Sequence, residues 1–138
     1  MGLNTDLIYN RFREIKQSLE RLEALREIPR ETFLADQDIL DVTCYRLLIA
    51  IEAALQICFH VNAQQLRQAP ESYSDCFALL EKADVLPSSL TRNLQHMARF
   101  RNMLVRTYWD VDNGRVYEIF QGHLDDLRQF VRAIERLL

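Results

Sequence analysis

Arg101, Asn102, Arg106 and Tyr108 lie in one short stretch, RNMLVRTYWDVD, and their side chains have a chemistry in common. A guanidinium is a planar fork that binds phosphate oxygens in pairs and stays charged at any physiological pH. Asn102 adds a neutral donor and acceptor. Tyr108 and Trp109 offer flat faces on which a base can stack. The stretch contains no histidine, so a set that could grip a phosphate lacks an obvious group to move a proton. On a helix at about 100° per residue, positions 101 and 106 diverge by about 140°, which brackets a broad groove rather than a single column. Met97, Phe100, Met103, Leu104 and Thr107 form the arc expected to face the core. Arg101, Asn102, Val105, Arg106 and Trp109 cover the other side, with Tyr108 beside Arg101. A groove of that width suits the boundary between two subunits of a homodimer, where a twofold axis doubles the set. The same pattern also fits an ordinary solvated helix face.

Charge distribution sharpens the reading. The chain has a net charge of -3, which excludes a generally basic nucleic-acid binder. Between Ser88 and Trp109, however, there are four arginines (Arg92, Arg99, Arg101, Arg106) and no acid, while the remainder carries 13 basic and 20 acidic residues. A cationic island in an acidic protein draws a polyanion or an acidic partner to one place.

The elements that must position this island read as helices. Three Gly and three Pro in 138 residues leave few breaks, and 49% apolar with 27% charged residues is the balance of a globular domain. The spacing predicts a first helix over Thr5–Glu27, capped by Asn4 or Thr5. A second is expected over Asp36–Val61, apolar on most sides, and a short one near Asp75–Ala83. A fourth, capped by Ser88 or Ser89, is expected to reach about Trp109, and a last to run from about Gly114 to the end. The expectation is one all-α domain over residues 1–138, an antiparallel bundle of four long helices plus a short one. Arg46, Glu52, Gln56 and His60 interrupt the second helix too often for a membrane span, and no signal peptide is evident. Cys44, Cys58 and Cys76 lack metal spacing and read as buried reduced thiols, placing the protein in the cytosol.

With these residues in view, FRNMLVRTYWDVD resembles the signature of the prokaryotic HEPN superfamily, in particular its HepT toxins. That signature reads Arg, four residues, His, one residue, Tyr, commonly with Asn after the Arg. Arg101, Asn102 and Tyr108 match it. Chain length, helical order and a long apolar second helix like RLLIAIEAALQICFHV extend the likeness over essentially the whole chain. The resemblance implies an HEPN-like bundle acting as a metal-independent endoribonuclease on RNA, without cofactor, as the toxin of a type VII toxin–antitoxin pair. It implies an MntA-like nucleotidyltransferase antitoxin that silences the toxin by transferring AMP from ATP to the motif tyrosine, here Tyr108. It also implies a homodimer or a higher oligomer with the antitoxin, away from membranes.

One position departs. Where the family has His, this chain has Arg106, which has no acceptor nitrogen and does not release its proton. Arg101 and Arg106 can hold phosphate, but the proton-transfer position is lost, so impaired cleavage is expected. Either Arg106 is a natural departure in a non-catalytic member, or it is an inactivating change in an otherwise intact motif. The alternative to a toxin is then a non-catalytic dimeric subunit that docks a nucleotidyltransferase or a nucleotide; a purely structural helical dimer leaves the arginine helix without a role. Glu52, Gln56 and His60 form a polar stripe on the second helix, read first as a satisfied seam and second as support for a site. His96 and His123 are isolated and read as solvent-facing or satisfied. No glycine-rich phosphate loop and no metal-spaced cluster is present.

Overall fold

A computed structural model of the chain describes residues 2–138 and is all-helical over them. The order is α1 (Thr5–Leu25), α2 (Arg30–Ala35), α3 (Gln37–Val61), a π-helical turn (Asn62–Leu66), α4 (Tyr73–Lys82), α5 (Ser88–Arg106), α6 (Asn113–Gly122) and α7 (Leu124–Glu135). Local chemistry sets most of the starts. The side chains of Asn4, Asp36, Ser72 and Asp112 each accept from a backbone N–H three residues on, at the heads of α1, α3, α4 and α6.

The long apolar α3 occupies the middle. It packs lengthwise on α1 and touches α2, α4, α5, α6 and α7. Leu47, Ala50, Ile51, Ala54, Ile57 and Cys58 are all but inaccessible to solvent. It is long and apolar enough to cross a membrane by composition, but half of that apolar window is buried inside the bundle. Its burial on several sides is what a helix apolar nearly all round requires. Elsewhere the bundle closes through aromatic contacts: Phe33 of α2 stacks on Phe120 of α6 at 5.0 Å, and Phe77 of α4 meets Phe130 of α7 edge-on at 6.0 Å. Across the outside, Glu23 of α1 accepts from Arg128 of α7 at 2.7 Å. That bond first, and then the nearby Arg26, hold the Glu23 carboxyl below its ordinary range.

Four details differ from the sequence expectation, each for a local reason. The six-residue α2 is too short to show a period, yet it exists because Phe33 must be buried. The cap of α5 is Pro87, in extended backbone, and Ser88 is already helical. The α5 helix ends at Arg106, where Thr107 leaves helical geometry and its hydroxyl donates back to the Met103 carbonyl at 2.8 Å. The expected last helix is two helices. Gly122, a poor helix former, precedes His123, whose backbone (φ -127, ψ 8) breaks the run, and α7 restarts at Leu124.

The junction of α3 and α4 is tied from inside. Buried Asn62 donates from Nδ2 to the carbonyls of Cys58 (3.0 Å) and Cys76 (3.1 Å), and the two thiols lie 2.6 Å apart. All three cysteines are free thiols. Burial, and then the neighbouring Cys76, push the Cys58 thiol well above its usual range, so it stays protonated and inert. Asn62→Ala removes the side-chain donor that bridges the two carbonyls and leaves a void at the junction. It is expected to lower stability by about 1–3 kcal/mol in urea unfolding, and an unchanged midpoint would show that the tie contributes nothing.

Candidate functional site

The tie fixes α4 against the end of α3, and α5 packs on α4, so three helices build one wall. Phe59 of α3 meets Tyr73 of α4 edge-on at 5.8 Å. The Arg101 guanidinium of α5 then lies over the Tyr73 ring, 5.0 Å from its centroid. On its other flank the Arg101 Nε–H donates to the Glu52 carboxylate of α3. A further N–H donates to Asn102 Oδ1 at 3.3 Å. Arg101 is therefore held by three partners and its side chain is 20% exposed. It lies on the flank of α5, close to the core arc, and not on an open face.

Arg101, Asn102, Val105 and Arg106 line one depression of about 410 Å³, opposite Phe59, Pro70, Glu71, Ser72 and Tyr73. Arg106 at its edge is exposed and makes no ion pair among the described residues. So one arginine is fixed and half-buried and the other is free to move. A fixed guanidinium aligns a phosphate, and a mobile one can follow charge as it develops.

Tyr108 stands elsewhere. Because α5 stops at Arg106, Tyr108 and Trp109 fall in the turn closed by the Asp110 N–H donating to the Thr107 carbonyl at 2.9 Å. Tyr108 is 75% exposed and Trp109 72%. The two rings meet edge-on at 5.2 Å. They line a second depression of about 460 Å³ with Tyr45, Asp41, Cys44 and Leu104. The expected place of Tyr108 beside Arg101 on one helix is thus corrected: the two residues line different depressions, separated by the end of α5. Cys44 does not supply a nucleophile there, since burial, and then Asp41, push its thiol up to about 11.

The polar stripe of α3 divides. Glu52 supports Arg101, Gln56 is exposed, and His60 Nε2 accepts the Asn4 N–H at 2.8 Å. The His60 imidazole is therefore occupied at the head of α1. His123 pairs with Asp126 at 2.8 Å, and exposed His96 bonds to Arg99 at 3.1 Å. Among the described residues, none of the three histidines lines the depression of Arg101. Glu52, Tyr73 and Phe59 are the residues of this site that spacing around the motif does not reveal. Glu52 left a trace in the stripe, and Tyr73 left none.

A sequence profile described as Ribonuclease HepT-like matches residues 15–134. The chain belongs to the HepT-like ribonuclease family. It is 30% identical over 130 residues to the mRNA nuclease HepT of Shewanella oneidensis, covering 94% of this chain and 97% of that one. Its fold superposes with a TM-score of 0.86 on a tri-AMPylated HEPN toxin of Shewanella oneidensis in complex with an MNT antitoxin, at 30% identity over 95% of this chain and 98% of that one. A cytosolic protein of unknown function from Bacillus subtilis, YutE, superposes with a TM-score of 0.84 over 99% of this chain and 92% of that one, and at 19% identity shares the fold alone. The HEPN-type helical fold expected from the motif is the fold observed.

Glu52 gives a test of the site's electrostatics. Glu52→Gln keeps an oxygen for Arg101 to donate to and removes a negative charge from beside it. Folding stability should fall by at most about 1 kcal/mol, because the pair is partly solvated. Affinity for an oligouridylate should rise by up to roughly fivefold, the equivalent of about 1 kcal/mol. Weaker binding, read by fluorescence anisotropy, would count against Arg101 as a phosphate ligand.

Proposed function

We propose that this protein is the toxin half of a toxin–antitoxin pair: an HEPN-type subunit that binds RNA at Arg101, Asn102 and Arg106 and that is weak or silent in cleavage. The observation that carries this is the convergence of two guanidiniums and an amide on one depression that no imidazole lines. In the ribonuclease reaction the RNA 2′-OH attacks the adjacent phosphorus, the bond to the 5′-oxygen breaks, and the departing oxygen takes up a proton. Arg101, steadied by Glu52 and Tyr73, holds a non-bridging oxygen, and Arg106 stabilises the charge of the transition state. Neither can take the proton from the 2′-OH. The step that remains uncatalysed is proton transfer, typically worth about 10²–10⁴-fold.

The partner in this reading is an MntA-like nucleotidyltransferase antitoxin, acting on Tyr108 by transfer of AMP. The support is the named relative, which is tri-AMPylated and bound to an MNT antitoxin. The exposed phenol is a further support, because an acceptor must enter another enzyme's active site. Attack of the Tyr108 oxygen on the α-phosphorus of ATP forms the phosphodiester and releases pyrophosphate. The transferred nucleotides begin two residues beyond Arg106, so their phosphates act from across the end of α5 by drawing Arg106 away from RNA. A homodimer would set a second copy of the arginine pair opposite the first. The second reading, a non-catalytic subunit that docks a nucleotidyltransferase or nucleotide, is favoured by Arg106 alone.

Two measurements bear on this. Arg106→His should raise metal-independent RNA cleavage about 10²–10⁴-fold, and adding Arg101→Ala should abolish the gain; no gain would favour the binding-only reading. Incubation with the candidate antitoxin, ATP and Mg²⁺ should add AMP units to the intact mass. A shift that survives Tyr108→Phe would remove Tyr108 from the acceptor role.

A further inference from the structure

Three arginines of α5 recur every seven residues: Arg92, Arg99 and Arg106. Seven residues advance about 10.5 Å along a helix and return to within about 20° of the same direction. The three therefore form one straight column about 21 Å long. All three are exposed, and none makes an ion pair among the described residues. The helix has no acidic residue to neutralise them. The site reading uses only Arg106, which leaves two of the three without a task.

The surroundings extend the column. His96 lies on the same side, one turn from both Arg92 and Arg99, and its Nδ1 is 3.1 Å from an Arg99 nitrogen. Arg115, exposed on α6, brings a further cation to this side. Some loss of hydration, and then the charges of Arg99, Arg115 and His123, hold the His96 imidazole below its usual range. Asp126, a carboxylate that faces α5 from α7, is nearly buried and engaged by Asn93 at 3.2 Å and His123 at 2.8 Å.

We infer that Arg92, Arg99 and Arg106 form a phosphate-binding track along α5, over which a single RNA strand runs into the depression of Arg101 and Asn102. The inference rests on the proposed RNA-binding function and extends it to residues outside the motif. Arg106 belongs to both surfaces, so the track is continuous with the groove. The length exceeds what one phosphate needs and suits several nucleotides. RNA fits better than an acidic protein partner: apart from Val105, every exposed side chain of α5 is polar or cationic, whereas the centre of a protein interface is apolar. A regular row of cations along one line is the pattern a polyanionic strand matches.

The test uses the full chain, with its Arg106, and a labelled oligouridylate long enough to span the column. Each phosphate contact on a single strand contributes about 0.7 to the slope of log K against log salt. Arg92→Gln with Arg99→Gln should lower that slope by about 1.4 and weaken binding about tenfold or more at low salt. Arg92→Lys with Arg99→Lys should retain most of the slope. Circular dichroism checks that the exposed substitutions leave the fold intact. If the Gln pair binds RNA like the parent while Arg101→Ala binds weakly, the track is overturned and the groove stands. If the Gln pair binds weakly and Arg101→Ala does not, the track stands and the groove falls; if neither changes binding, both fall. If the Gln pair loses only the nucleotidyltransferase partner, the column is a protein-docking surface and the inference is overturned.

Discussion

Everything in this fold is arranged around the need to bury α3. A helix with apolar side chains on nearly every side loses about 25 cal/mol for each Å² of that surface left in water. One partner helix covers one stripe, so several are required. α1 covers α3 along its length, while α2, α4, α5, α6 and α7 close the other sides. The short α2 and the interrupted α6–α7 follow from the same demand. Phe33 of α2 stacks on Phe120 of α6 and closes the bundle on that side.

The site inherits its geometry from this packing. Because α5 lies against α3 and α4, Arg101 comes to rest on the flank of the helix with most of its side chain out of water. A desolvated guanidinium is costly unless its donors find acceptors. Glu52 satisfies that need from α3, and Tyr73 adds a ring face from α4, a contact worth about 0.5–2 kcal/mol depending on solvation. The buried tie of Asn62 to Cys58 and Cys76 fixes α4 relative to α3 and so holds Tyr73 under the arginine. The orientation of one side chain thus depends on contacts among three helices. The same contacts reduce the free positive charge of the groove, since the Glu52 carboxylate already occupies one edge of Arg101.

How far the sequence discloses this depends on the range of each interaction. The long helices were legible because burial repeats at every turn: Ile8, Ile15, Leu19 and Leu22 mark α1 as plainly in the sequence as in the core. The end of α5 was not, because Thr107 leaves helical backbone (φ -124, ψ 40) with no glycine or proline to mark the stop, and the residues beyond are aromatic enough to continue an apolar pattern. The break at His123 was hidden likewise, since Leu124 and Leu127 stay buried beyond it. Arg101 and Asn102 were legible as candidates from type and spacing. Glu52, the partner of Arg101, lies 49 residues away, and no local pattern encodes such a pairing. Tyr108 leaves the wheel position that its spacing predicts because α5 ends at Arg106, and a residue two positions past a helix end no longer follows the helical wheel.

The separation of Arg101 from Tyr108 changes how control of such a site must work. On one helical face, a nucleotide on the phenol would sit in the groove and exclude RNA by volume. From the neighbouring depression it must act through the end of α5, where Leu104 is buried and Arg106 is exposed and makes no ion pair among the described residues. A buried leucine transmits little, whereas a long unpaired cation swings to whichever phosphate is nearer. Arginine at this position keeps that electrostatic link and removes the proton-transfer chemistry that histidine would supply. In the proposed function, binding and its control are therefore separable from cleavage, because they depend on charge and reach, while cleavage depends on a nitrogen that can give and take a proton.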